Sequence, residues 1–212
     1  MAFEVALASA EALIGQKRSR RELARAMAGS AAFAVVTPVA PPRLWGQVAD
    51  TVTNAFERAL GTDPPTAAAA QKAITAATAA LDVLRGQLVE PHLLVDARLG
   101  VVLTLADGIF CALTEGTRLY RARGGVPERL HTKAARPVGI SAGPLFTVVE
   151  RAERGDLFIL GTRDAFTVRA IGNLAGALAK GPKAPVSELC DAVIGPCREG
   201  GVGAAAVVLR KT

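Results

Sequence analysis

The sequence predicts an α+β fold, a four-layer αββα sandwich with two antiparallel sheets packed face to face and helix pairs outside. Three observations predict it. Helical periodicity arrives in two pairs, near residues 44–88 and 166–194. Between and around the pairs lie short apolar runs separated by glycine-containing turns. Consecutive strands joined by such short turns run antiparallel, and helices joined by short linkers pack as neighbours.

Size and composition agree. The chain has 212 residues, 50% of them hydrophobic, enough for one domain with a sizeable core and against disorder. Residues 1–212 are read as a single compact domain with no separate linker. Aromatics make up only 4%, so alanine, valine and leucine must build the interior.

The elements follow in order. Residues 3–13 are apolar and suit either a strand or an alanine-rich helix. A basic loop, Lys17-Arg18-Ser19-Arg20-Arg21, comes next. Ala31-Ala32-Phe33-Ala34-Val35-Val36 reads as a buried strand ended by Thr37-Pro38, after which Pro38, Pro41 and Pro42 force a loop. Trp45, Val48, Val52, Phe56 and Leu60 recur at helical spacing, and Gly61 stops that helix. Pro64-Pro65-Thr66 opens a second helix, with Ile74, Ala77, Leu81, Leu84 and Leu88 in a stripe and Pro91 at its end.

The period then shortens. Residues 100–106, 109–114 and 118–121 read as successive strands. Asp107-Gly108, flanked by apolar runs, is a strong hairpin signal. Gly124-Gly125 makes another turn. Residues 145–150 and 157–161 are two more strands, turning at Arg154-Gly155-Asp156. Residues 166–179 are helical and stop at Gly181-Pro182. Pro185 opens a short helix carrying Val186, Leu189, Cys190, Val193 and Ile194. Gly200-Gly201 then leads to a last strand at 204–209.

Charge and cysteine usage narrow the partners. The formal charge is +6, which permits acidic partners. No aromatic residues interleave with the basic cluster, so nucleic-acid binding is not expected. Cys111, Cys190 and Cys197 are scattered, which suits reduced thiols in a cytoplasmic protein. No cysteine pair has zinc-ligand spacing, and His92 and His131 are far from any cysteine in sequence. No stretch of about 20 apolar residues occurs, so no membrane contact is expected.

Five segments resemble, in order, the motifs of the type 2C (PPM) metal-dependent Ser/Thr protein phosphatases. Thr117-Arg118-Leu119-Tyr120-Arg121-Ala122-Arg123-Gly124-Gly125 is similar to the family's G-D-S-R-x-Y-x-x-R-x-G hairpin. Leu130-His131-Thr132 and Arg136-Pro137-Val138-Gly139 resemble its L-T and R-x-L-G. Residues 155–162 resemble G-D-x-L-L-L-x-S/T, and residues 203–209 resemble the closing D-N-A-T-V-V-V-L.

The resemblance implies a two-cation Mg²⁺ or Mn²⁺ site, which needs carboxylate oxygens to activate a bridging water. The matched positions lack them. The first D-G falls on Thr37-Pro38, and Ala40 and Pro41 stand where glycines follow. The second aspartate falls on Arg163, with Asp164 one residue late. The last falls on Val202. The acid of G-D-S-R falls on Gly116 or Glu115. Ala106-Asp107-Gly108 copies the first metal motif but sits where a hairpin turn is needed.

Gly15-Gln16-Lys17-Arg18-Ser19-Arg20-Arg21-Glu22 keeps the spacing of the family's G-x-x-R-x-x-N-E-D. By resemblance, Arg18 would contact substrate phosphate and Glu22 would lie beside the metals. Arg18, Arg21 and Arg163 together could form a metal-free anion pocket. The alternative is a solvated basic loop with no ligand.

The expectation is a catalytically inactive pseudophosphatase with no catalytic residues, no metal and no cofactor. It would bind a protein partner, such as a Ser/Thr kinase, a phosphoprotein or a component of a larger assembly. The competing expectations are a divergent but active phosphatase and a scaffold with no link to phosphate.

Overall fold

The computed structural model describes residues 2–27, 31–61, 66–88, 90, 93–130, 140–142, 146–179, 181 and 184–212. The expectations placed on Pro64-Pro65, Pro91, His92, His131-Thr132, residues 136–139, Leu145 and Pro182 lie outside these residues.

Alternating side chains send each central strand's two faces into different apolar layers, and two sheets result. The strands are β1 (Phe3–Ala10), β2 (Ala12–Ile14), β3 (Lys17–Ser19), β4 (Leu23–Met27), β5 (Ala32–Val39), β6 (Asp96–Thr104), β7 (Gly108–Leu113), β8 (Thr117–Arg123), β9 (Val126–Arg129), β10 (Phe146–Arg151), β11 (Leu157–Thr162) and β12 (Ala204–Lys211). The first sheet runs β1-β12-β11-β8-β9 and the second β10-β7-β6-β5-β4, while β2 and β3 form a separate hairpin. The pairings are antiparallel.

The helices are α1 (Trp45–Leu60), α2 (Ala67–Gly86), α3 (Val168–Ala179) and α4 (Val186–Gly200). Helix α1 buries Val48, Val52, Phe56 and Leu60 along one stripe and ends at Gly61, whose φ of +75° suits only glycine at low cost. Thr66 caps α2, its hydroxyl accepting from the Ala69 N–H at 3.1 Å.

Three apolar clusters stack these elements into four layers. One joins α1 and α2 to the second sheet through Phe56, Leu81, Val36 and Leu99. A second joins α3 and α4 to the first sheet through Leu174, Val193, Ile159 and Val208. The third lies between the sheets, where Phe33, Val102, Phe158 and Val207 meet. This is the expected four-layer sandwich.

Several boundaries differ from the sequence reading. Residues 3–10 are strand, because β1 is held by β12 in full register from Phe3↔Lys211 to Ala10↔Ala204, and that pairing overrides the helix preference of alanine; after Glu11 the chain enters the separate strand β2. The basic segment is not one loop, since Lys17–Ser19 is a strand paired with Ala12–Ile14. Thr37 and Pro38 do not end their strand but lie inside β5. Strand β4 pairs only as far as Val36, so Pro38 has a partner on the β6 side alone, where Ala97 faces it, and a proline without N–H is tolerated at such a local edge. The hairpin after β6 turns on Ala106-Asp107, one residue earlier than read. Leu105 N–H closes it on the Gly108 carbonyl at 2.8 Å. Gly108 starts β7, and a Cβ there would lie 1.9 Å from the Glu150 carbonyl oxygen. Helix α4 is longer than expected and continues through Pro196 to Gly200.

Candidate functional site

Several positions singled out in the sequence, Arg21, Glu22, Thr37, Pro38, Arg163 and Asp164, lie toward one end of the sandwich. In the second sheet, β5 and β6 bring Thr37 opposite Arg98. In the first sheet, β8 begins at Thr117 beside the end of β11 at Thr162, and β12 begins at Ala204. The link between β3 and β4 carries Arg21 and Glu22 into the same end.

The loop at Glu115-Gly116 is tightly made. Thr114 Oγ1 accepts from the Leu99 N–H at 2.8 Å, and Thr117 Oγ1 donates to the Thr114 carbonyl at 2.7 Å. The Arg163 N–H donates to the Gly116 carbonyl at 2.7 Å, which ties the β11 end to this loop. Thr162 Oγ1 accepts from the Ala205 N–H at 3.1 Å. Arg163 and Asp164 form a short 3-10 turn with Ala165, and both are exposed. The Cys197 thiol donates to the Asp164 carbonyl at 3.1 Å.

Glu22 is the centre of the end. It is 3% exposed, and its Oε2 has no hydrogen-bond partner among the described residues. It packs so closely on β12 that a Cβ on Gly203 would lie 1.9 Å from that oxygen. Burial pushes the Glu22 carboxyl above its ordinary value and Asp164 adds to this, while Arg21 and Arg98 pull the other way. The same crowding acts on Cys197, whose thiol is raised by burial and by the charges of Asp164 and Glu22.

The arginines divide into engaged and unengaged. Arg21 lies over the Trp45 ring at 5.5 Å, donates Nε to the Pro38 carbonyl at 3.4 Å and approaches Glu22 at 3.8 Å. Trp45 is itself buried and donates its indole N–H to the Ala40 carbonyl at 2.8 Å. Arg163 makes no side-chain hydrogen bond or ion pair among the described residues. Arg18 sits on β3 opposite Leu13, exposed, and no contact among the described residues joins it to Arg21 or Arg163.

Sequence reasoning missed Arg98 and Gly203. Arg98 was detectable as the one cation inside an otherwise buried strand, Asp96–Thr104. Gly203 had no such signal.

These side chains are poor hosts for two hard divalent cations. Thr37 offers a hydroxyl, Pro38 and Val202 offer nothing, and Arg163 is cationic. Glu22 Oε2 and Glu115 Oε2 are buried without partners, but Arg21 and Arg98 already act on Glu22. Among the described residues no three His, Cys, Asp or Glu side chains are grouped to hold a metal. A separate cleft of about 410 Å³ lies at the opposite end of the first sheet, lined by Arg123, Gly125, Arg154, Gly155 and Leu178 among others. There Arg123 is already bound to Asp156 and Glu153.

The fold is that of the PPM Ser/Thr phosphatases. The Mycobacterium tuberculosis serine/threonine phosphatase PstP/Ppp superposes with a TM-score of 0.81 at 16% identity, covering 100% of this chain and 99% of that one. PppA, described as a key regulatory component of T6SS in Pseudomonas aeruginosa, gives 0.79 at 16% identity with the same coverage. The catalytic domain of PstP in complex with 2 manganese ions gives 0.77 at 18% identity, covering 98% of this chain and 97% of that one. At these identities the likeness is one of fold. No family model matches the sequence, and no curated protein matches it.

Proposed function

We propose that the chain is a phosphatase-like binding module that works without metal and without turnover. It would act as a regulator or scaffold in bacterial Ser/Thr kinase and phosphatase signalling, or within a larger assembly. The observation that carries this reading is the convergence of Thr37, Pro38, Arg163 and Val202 on the end of the sandwich where the resemblance calls for carboxylates. A cationic or neutral side chain there weakens a hard-cation site directly. The fold shared with PppA, a regulatory component in its own system, supports a regulatory role. The partner would be a Ser/Thr kinase, a phosphoprotein or an assembly component. An exposed Arg163 is suited to bidentate contact with an anionic group.

The test is a phosphatase assay on phosphoserine and phosphothreonine peptides with Mn²⁺. The expected result is no turnover above background. Robust turnover abolished by a chelator overturns the reading.

A second reading, a divergent active phosphatase, is favoured by one observation. Asp164 lies within electrostatic reach of Glu22, so two carboxylates remain near each other. Calorimetric titration with Mn²⁺ separates the two, since only the second requires metal binding.

A further inference from the structure

We infer that the β2-β3 hairpin is a docking surface for a partner protein, and that it takes a segment in which carboxylates alternate with aliphatic side chains. The inference goes beyond the proposed function, which names no face for the partner, and it holds whether or not the chain turns over phosphate.

The hairpin stands apart from the rest of the fold, since β2 and β3 pair only with each other and join neither five-stranded sheet. Its root rests on the loop that follows α4. The Leu13 N–H donates to the Gly201 carbonyl at 2.7 Å. A Cβ on Gly201 would lie 3.0 Å from Leu13 Cβ, so the two chains meet backbone against side chain, and Val202 comes next.

That junction concentrates apolar surface. Nine large apolar side chains are exposed among the described residues. Three of them, Leu13 at 55%, Ile14 at 44% and Val202 at 45%, lie on this hairpin or on the loop against it. Single exposed apolar side chains are ordinary, but a group of them marks a contact surface.

Charge decides what covers it. Register sets Arg18 opposite Leu13 and Lys17 opposite Ile14, and side chains directly opposite share a face. Each face of the hairpin therefore carries one aliphatic and one cationic side chain. Lys17 and Arg18 are exposed and make no ion pair among the described residues. Arg20 has only Glu11, at 3.9 Å and also exposed, a contact worth little. A partner that covers Leu13 and Ile14 must bring carboxylates to these cations. A second copy fits poorly, because a twofold interface would set the same cations together in a chain of formal charge +6. A bilayer fits poorly too, because residues 12–19 offer no aromatic ring to the lipid interface.

The test is calorimetric titration of the whole chain with a short peptide alternating Glu with Leu, against the same peptide with Gln for Glu. The expected result is binding of the Glu peptide alone. Lys17→Glu/Arg18→Glu and Ile14→Ser/Val202→Ser should each weaken it by about tenfold or more. All four side chains are exposed, so melting curves should show both variants folded. Arg58→Glu/Lys72→Glu, which removes two exposed cations on the helical layer, should bind as the wild type does. No binding at millimolar peptide, equal binding of the Gln peptide, or an equal loss in the Arg58/Lys72 variant would overturn the docking surface. So would sedimentation with phosphatidylserine vesicles in place of peptide binding, or a dimer that Ile14→Ser/Val202→Ser dissolves. Each of these leaves the metal-free reading standing, whereas chelator-sensitive turnover sinks that reading and leaves the docking surface untouched.

Discussion

Arg123 holds Asp156 with two arms of its guanidinium, Nε donating to Oδ1 at 2.9 Å and Nη2 to Oδ2 at 2.6 Å. The Glu153 N–H adds a third donor to Oδ2 at 2.8 Å. This clamp locks the end of β8 to the turn before β11, far from the Glu22 end. Burial alone would favour the neutral acid, but the Arg123 bonds and the Glu153 N–H outweigh it and hold the carboxyl below its ordinary value. A depressed carboxyl contributes stability that is present above the unfolded value of 3.8 and is lost as pH falls through the lower folded value. Asp156→Asn is expected to flatten the acid limb of the stability profile, measured as urea midpoint between pH 5 and 2 on the order-of-magnitude window for such pairs. An unchanged acid limb would count against the clamp.

Glu22 gives the opposite sign. Its folded value lies above the ordinary 4.5, chiefly from burial. In the interval above 4.5 the unfolded chain has released the proton while the folded chain still holds it, so stability falls as pH rises through that interval. Glu22→Gln removes the titration. The variant should gain stability relative to the wild type as pH increases from 4.5, read from urea midpoints at successive pH values. Parallel profiles for the two proteins would contradict the burial of this carboxyl.

Gly203 has a steric rather than a conformational role. Gly203→Ala places a methyl 1.9 Å from the Glu22 carboxylate as it now lies, so that buried side chain must move. A loss of about 1–3 kcal/mol is expected, as for other overpacked sites. Adding Glu22→Ala should recover part of it, because the clash partner is gone. Urea denaturation of the three variants checks this, and strict additivity would refute the contact.

Phe158 is fully buried between the two sheets. Phe158→Ala should destabilise by about 3–5 kcal/mol, since neither sheet can collapse into the space. A loss under about 1 kcal/mol would mean that the inter-sheet layer is more adaptable than the packing implies.

Much of the architecture was legible because packing faces leave a periodic trace. The α1 stripe of Val48, Val52 and Phe56, and the apolar runs of β7, β11 and β12, carry their burial in their spacing. The short strands 17–19 and 23–27 were hidden because arginine and lysine, whose stems can lie on a sheet while the charge stays in water, break the apolar alternation. The sequence reading framed the candidate site as a set of replaced positions in sequence order. What was not legible was which side chains fill the space. Arg98 and Gly203 act through close approach between distant strands, which no local pattern encodes.

The pairing of β1 with β12, from Phe3↔Lys211 to Ala10↔Ala204, has a consequence for biosynthesis. Strand β1 leaves the ribosome long before β12, the strand it pairs with. Until β12 emerges, Val5 and Leu7 have no neighbour to hydrogen-bond along that edge, and the layer containing Glu22 and Gly203 cannot close. Contacts of such long sequence separation slow folding, so the nascent chain should depend on holding factors until β12 has emerged.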